Sequence, residues 1–371
     1  MAQPLTTSTG LMQVSFLKRK NKLFSTSKNK KKQKSDKSNW GDDYPLCRDG
    51  TLQSPIYLAP PHAQYDAELF NDEMLFSNYL DPNRTFNGVL SNNGRSVMWR
   101  IDANSTADVR LLPRISGANL QAWFILDRIV FHWGDSNIPG GRGSDHVVDD
   151  NFRTTPAEVQ FLHYNFKYGS FEEAYNQPDG LAGVAFLLKP CDYPLHREAD
   201  YSELTSNFYD VAHENTQIQT ANIHIDRLLP FAAWEQINND TFPIVDSNST
   251  MDNGNASIPT VSGYYRYHGS LTMPPCSESV LWTVYPDPVH IDPSEMNLIL
   301  TSFYRNDLAQ GVQPLIDTWR PIQNMNRRIV TTNSPRLAQW NSASQIAPPT
   351  KFHFIITGFF VVCLRSFINI D

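Results

Sequence analysis

The residues able to do chemistry in this 371-residue chain gather in a few short segments. His132 stands in Phe131-His-Trp-Gly134 and His146 in Gly143-Ser-Asp-His-Val-Val-Asp149. His163 lies in Ala157-Glu-Val-Gln-Phe-Leu-His-Tyr-Asn165, and Thr272 in Gly269-Ser-Leu-Thr-Met-Pro-Pro-Cys-Ser-Glu278. Imidazoles and carboxylates are the groups that bind metals or carry protons, but each segment alone is weak evidence. The four cysteines, Cys47, Cys191, Cys276 and Cys363, contain no CxxC pair. That argues against a zinc ribbon or a dithiol redox motif. Five Asn-x-Ser/Thr sequons stand at Asn83, Asn104, Asn239, Asn248 and Asn255. The last three fall within one polar, Asn- and Ser-rich stretch, 238–262, which reads as a glycosylated surface loop.

The elements that must position these groups read as mainly β. Candidate strands are Val97–Ile101, Ala122–Phe131, Glu158–Tyr164, Ala182–Leu188 and Val280–Val284, with Gly and Pro between them. Helical pattern is sparse: Phe171–Tyr175 suits a short helix. Pro293–Phe303 suits a longer one, with Ser294 as cap and Met296, Leu298, Ile299, Leu300 and Phe303 as its apolar face. A composition of 40% apolar and 19% charged residues excludes a disordered chain or a polytopic membrane protein. The net charge of -7 excludes a uniformly basic nucleic-acid binder, yet residues 1–40 carry ten basic side chains against one acid. Residues 1–38 read as a solvated basic arm or an altered start, without the apolar run of a signal peptide. At the other end, Phe352–Leu364 is apolar apart from His353 and Thr357, but shorter than the roughly 20 residues of a membrane-spanning helix. Asn341-Ser-Ala343, a polar spacer to Lys351 and this tail follow the order of a glycolipid-anchor signal. A terminal element docked on the body is the other reading.

Taken in order, the segments above carry a resemblance. Tyr44-Pro-Leu-Cys47, Gln53-Ser-Pro-Ile56, Asn92-Asn-Gly94, Tyr168-Gly-Ser-Phe171, Gln177-Pro-Asp-Gly-Leu-Ala182 and Trp319-Arg-Pro-Ile-Gln323 complete the series. Across roughly residues 40–330 the chain resembles the α-class carbonic anhydrases. The resemblance implies a single domain, 39–335, built on a large, mostly antiparallel twisted sheet. A 336–351 spacer and the 352–371 tail follow it. It also implies a zinc held by three histidines at the bottom of a cleft. Such a zinc leaves its fourth position to water and lowers that water's pKa to about 7.

The chain departs from the family at that place. The pattern His-x-His-Trp-Gly becomes Val130-Phe-His132-Trp-Gly, and the third ligand position is Gln160. Valine donates no electron pair, and an amide oxygen is a poor zinc ligand beside imidazole. His163, an odd number of residues from Gln160, falls on the other face of the strand, and His146 matches a buried histidine that does not touch metal. Thr272 matches the residue that orients the zinc-bound hydroxide. Asp145 stands for the glutamate that accepts the threonine's proton, one methylene short. Glu158 matches the acid that orients a ligand histidine. Arg95 occupies the proton-shuttle position, where a guanidinium cannot relay protons at pH 7. With Arg128, it makes the cleft better suited to anions than to Zn²⁺. Cys47 and Cys276 match the single disulfide of secreted members, which implies an oxidising compartment, with Cys191 free and buried.

The expectation is a catalytically silent, carbonic-anhydrase-related glycoprotein outside the cell or at its surface. It would carry no cofactor and bind an extracellular protein or a sulfated glycan, not nucleic acid, with the tail able to attach it to a membrane. The alternative is an active zinc carbonate dehydratase with unusual metal ligation. A metal-free, anion-binding cleft is a third reading.

Overall fold

The computed structural model describes residues 39–338 except 104–107, 139–140, 150–152, 193–196, 231–254, 258–262 and 308; for 255–257 it describes the backbone alone. The basic arm, the apolar tail, most of the 238–262 insert and the sequons at Asn104, Asn239 and Asn248 lie outside the described residues.

Among the described residues the main sheet has thirteen strands. Ten form its path: β1 (Ala63–Tyr65), β2 (Phe86–Asn92), β3 (Val97–Ile101), β4 (Leu120–Trp133), β5 (Ala157–Asn165), β6 (Leu181–Pro190), β7 (Thr216–Ile223), β8 (Tyr265–Gly269), β9 (Val280–Ile291) and β10 (Val330–Thr332). Their order is β7-β2-β3-β4-β5-β6-β9-β8-β10-β1. Only β6–β9 and β10–β1 run parallel, so the expected mostly antiparallel sheet is what forms. The predicted strands are present, and four of them run longer than their apolar cores. Most extended is β9, which passes Pro286 and Pro288 to reach Ile291.

The centre of the sheet is covered on both faces. All nine residues of β5 are buried, polar ones included, so its sequence shows no alternation of apolar and polar side chains. Trp99, Trp133 and Trp282 are fully buried around it. The α-helices are short: among the described residues one reaches nine residues, Pro293–Thr301, and the others span four or five. The nine-residue helix is capped by Asp292, not by the predicted Ser294; the Asp292 carboxylate accepts the Ser294 N–H across 2.8 Å. An ionised carboxylate is the stronger acceptor at the positive end of the helix. No helix among the described residues is long and apolar enough to cross a membrane.

Candidate functional site

β4 and β5 pair antiparallel, with Val130 opposite Gln160 and His132 opposite Glu158. Residues directly opposite share a face, and alternation puts all four on one face of the sheet. A bulge between Leu126 and Arg128 resets the register upstream of them, so that Arg128 pairs with Leu162 on that face. Over this face opens a cleft of about 300 Å³. Val130, Gln160, Leu162, Leu271 and Thr272 line its depth, while Arg95, Arg128, Tyr44 and Tyr175 contribute to its walls. His132 does not line it, and is fully buried beneath.

Below the floor the polar groups form one network. The Gln160 amide N–H₂ donates to Asp145 Oδ2 and to Glu158 Oε1, both at 2.9 Å. Its carbonyl Oε1 accepts the Thr272 hydroxyl across 3.3 Å. Thr272 therefore reaches Asp145 through the glutamine, not directly. Asp145 Oδ1 also accepts the Arg320 backbone N–H at 2.6 Å. Glu158 holds His146, accepting from its backbone N–H and its Nδ1–H at 2.8 Å each. Burial opposes ionisation of Glu158, but the charge and hydrogen bonds of His146, with the Gln160 amide, outweigh it and draw its carboxyl below the ordinary range. His146 Nε2 meets the Tyr267 hydroxyl at 2.8 Å, and that hydroxyl donates to Ser54. His132 donates Nδ1–H to the Thr318 carbonyl across 3.3 Å. Its Nε2 is buried without a hydrogen-bond partner, 3.4 Å from Asp145 Oδ2.

His163 is held elsewhere. Its Nδ1–H donates to the Ala182 carbonyl, and its Nε2 accepts from the Tyr79 hydroxyl at 2.5 Å. Burial lowers its pKa to about 3, so it stays neutral. Arg128 stacks on Phe171, its guanidinium carbon 3.7 Å from the ring centre, and pairs with Asp127 and Glu172. Cys47 and Cys276 form a disulfide that ties the start of the domain to the loop bearing Thr272. Cys191 is free and buried. Asn83 is exposed, and Asn255 opens a short strand, Asn255–Ser257. Tyr267, Thr318 and Arg320 were not singled out by sequence. Arg320 and Tyr267 do lie in or beside quoted segments, and a buried arginine reaching Gln53, Ser54 and Cys47 carbonyl oxygens is what clamps the N-terminal segment under the cleft.

A eukaryotic-type carbonic anhydrase family model matches residues 35–242 and 245–334.

The chain belongs to the eukaryotic-type carbonic anhydrase family.

Among its relatives, human "Carbonic anhydrase 12" is 28% identical over 336 residues, 90% of this chain and 80% of that protein. Mouse "Carbonic anhydrase 7" is 29% identical over 294 residues, 79% of this chain and 92% of that one. Bovine "Carbonic anhydrase 6" is 27% identical over 300 residues, 80% and 77% of the two chains. Carbonic anhydrases usually carry zinc, so the floor of this cleft must be asked whether it fits one. Three neutral donors are needed with a fourth position open. Val130 offers none, and both ends of the Gln160 amide are engaged by Asp145, Glu158 and Thr272. One imidazole nitrogen, His132 Nε2, makes no hydrogen bond, and it lies 3.4 Å from Asp145 Oδ2. Among the described residues no group of three or more His, Cys, Asp or Glu could hold a metal ion. These residues do not fit a catalytic zinc.

Proposed function

We propose that this carbonic anhydrase family member does not hydrate CO₂ and serves as a binding module outside the cell. The observation that carries the reading is the Gln160 amide, which bridges Asp145, Glu158 and Thr272 at the floor of the cleft beside an apolar Val130. The amide satisfies two carboxylates by hydrogen bonding, a role that needs no cation. The two positions of the implied ligand set are then a methyl-bearing wall and a fully engaged amide. The relics Thr272, Asp145 and Glu158 hold the floor together, and Arg95 at the mouth relays no protons.

An extracellular or cell-surface setting is supported by the Cys47–Cys276 disulfide, since such bonds persist in oxidising compartments. The exposed sequon at Asn83 agrees with it. The partner we favour is an extracellular protein or a sulfated glycan, with the apolar C-terminal tail attaching the chain to a membrane.

The direct test is stopped-flow CO₂ hydration with the full chain, secreted with zinc supplied. The expected rate is the uncatalysed one, with and without added zinc. Zinc-dependent hydration lost in His132→Ala would overturn the reading in favour of a dehydratase with unusual ligation.

A further inference from the structure

Arg266 is a buried cation whose guanidinium is only partly hydrogen-bonded. It lies on β8 opposite Thr283 of β9, and its neighbour Tyr265 lies opposite Val284. Val284 continues in register to Ala185 and so to Gln160. Tyr265 and Tyr267 therefore share the face of the cleft, and alternation turns Arg266 to the opposite face. There it is 5% exposed. Its Nη1 donates to the Ala118 carbonyl at 2.5 Å. Its Nε and Nη2 are buried and make no hydrogen bond. Beside it stands Tyr264, 4% exposed, with its ring centre 5.3 Å from the guanidinium carbon. The Tyr264 hydroxyl is also buried without a partner.

The nearest acids do not fill the gap. Asp66 and Asp72 act on Arg266 through space only. Asp66 Oδ1 already accepts the Glu68 and Leu69 N–H groups at the start of helix Ala67–Asn71. Asp72 Oδ2 accepts the Asn119 N–H at 2.7 Å. A guanidinium keeps its proton at neutral pH, so it cannot escape burial by becoming neutral. With only Nη1 hydrogen-bonded, to the Ala118 carbonyl, the cost of taking this ion out of water is only partly offset. Nε and Nη2 form the edge that meets two oxygens of one anion side by side.

We propose that Arg266 and Tyr264 bind a small oxyanion, a phosphate, a sulfate or a carboxylate, on the face of the sheet away from the cleft. The two unpaired N–H groups take two of its oxygens, and the phenol supplies a further donor. This site is independent of the cleft and of any activity there.

The test uses the full chain. Thermal unfolding is followed at constant ionic strength with chloride exchanged for inorganic phosphate, sulfate or acetate, and inorganic phosphate is titrated calorimetrically. The wild type is expected to gain a few degrees in one or more oxyanions, rising with the logarithm of concentration, as binding to the folded state requires. A response to acetate as strong as to phosphate assigns a carboxylate; a response to phosphate and sulfate alone assigns a tetrahedral anion. Arg266→Met should lose the anion dependence while being at least as stable as the wild type in chloride. Tyr264→Phe, which keeps the ring, should bind about three- to tenfold more weakly, the worth of one hydrogen bond. Equal melting in chloride and in every oxyanion, with no heat on titration, would overturn the proposal and leave water at the guanidinium edge. An unchanged anion response in Arg266→Met would overturn it too. If that variant does not fold, the wild-type titration and Tyr264→Phe still decide.

Discussion

A glutamine amide has a donor end and an acceptor end, and Gln160 uses both. Its nitrogen serves two buried carboxylates and its oxygen takes a threonine hydroxyl. A histidine there would bring one acceptor nitrogen toward the cleft. His132, Asp145, Glu158 and Thr272 surround it, with Thr272 reaching Asp145 through the amide and His132 Nε2 lying 3.4 Å from Asp145 Oδ2. Restoring the two missing imidazoles should therefore restore metal. Val130→His with Gln160→His is expected to take up about one zinc per chain, tightly enough to survive dialysis. Either single variant should hold far less, because two imidazoles leave the tetrahedral set incomplete. Elemental analysis of the three variants checks this; zinc in Gln160→His alone at full occupancy would mean that Val130 is not the obstacle. Sequence showed which residues stood at these positions. It did not show the amide bridge, because strand spacing fixes a face but not which hydrogen bonds form across it.

Among the elements, the nine-residue helix shows what pattern reading reaches and where it stops. Its start was legible; of the expected apolar face Met296 and Ile299 are buried, Leu298 and Leu300 are half-buried, and the helix ends at Thr301, short of Phe303. Its cap was not, because Asp292 and Ser294 are both good capping residues and geometry chooses between them. Nor was Glu295, a carboxylate on the buried side of its first turn. It accepts the Tyr201 N–H at 3.1 Å and faces Arg197 at 3.4 Å. Burial, with the nearby Asp200 charge, raises its pKa from 4.5 to about 7, partly offset by Tyr201 and Arg197. The folded state thus holds this proton more tightly than the unfolded chain. That contribution to stability is complete below about pH 4.5 and is lost as pH rises to about 7. Glu295→Gln should remove it, so the wild type should lose on the order of 2 kcal/mol relative to the variant between pH 5 and 8. Urea midpoints at the two pH values measure the difference; parallel losses would contradict the assignment.

For the whole molecule, the order of short motifs from Tyr44 to Gln323 made the fold legible, although each motif was weak alone. The family match over 35–242 and 245–334 agrees with that order. Long-range features were less legible. The disulfide followed from resemblance, while the unpaired Arg266 on the far face had no signal in composition or spacing, since burial of a charge is decided by neighbours distant in sequence. The disulfide spans 229 positions, and closing so long a loop restricts the unfolded chain by about 5 kcal/mol on the entropic account. Replacing Cys47 and Cys276 together by serine is expected to cost about 2–5 kcal/mol in denaturant unfolding. A change below about 1 kcal/mol would mean that the Arg320 clamp alone anchors the N-terminal segment.

A cleft floor closed by its own hydrogen bonds should take no catalytic metal. Zinc content per chain tests it most directly, by elemental analysis of the full chain secreted with zinc supplied and then dialysed. The expected content is less than about a tenth of a zinc atom per chain, the level of adventitious metal when one imidazole is the only good donor. One zinc per chain would contradict it.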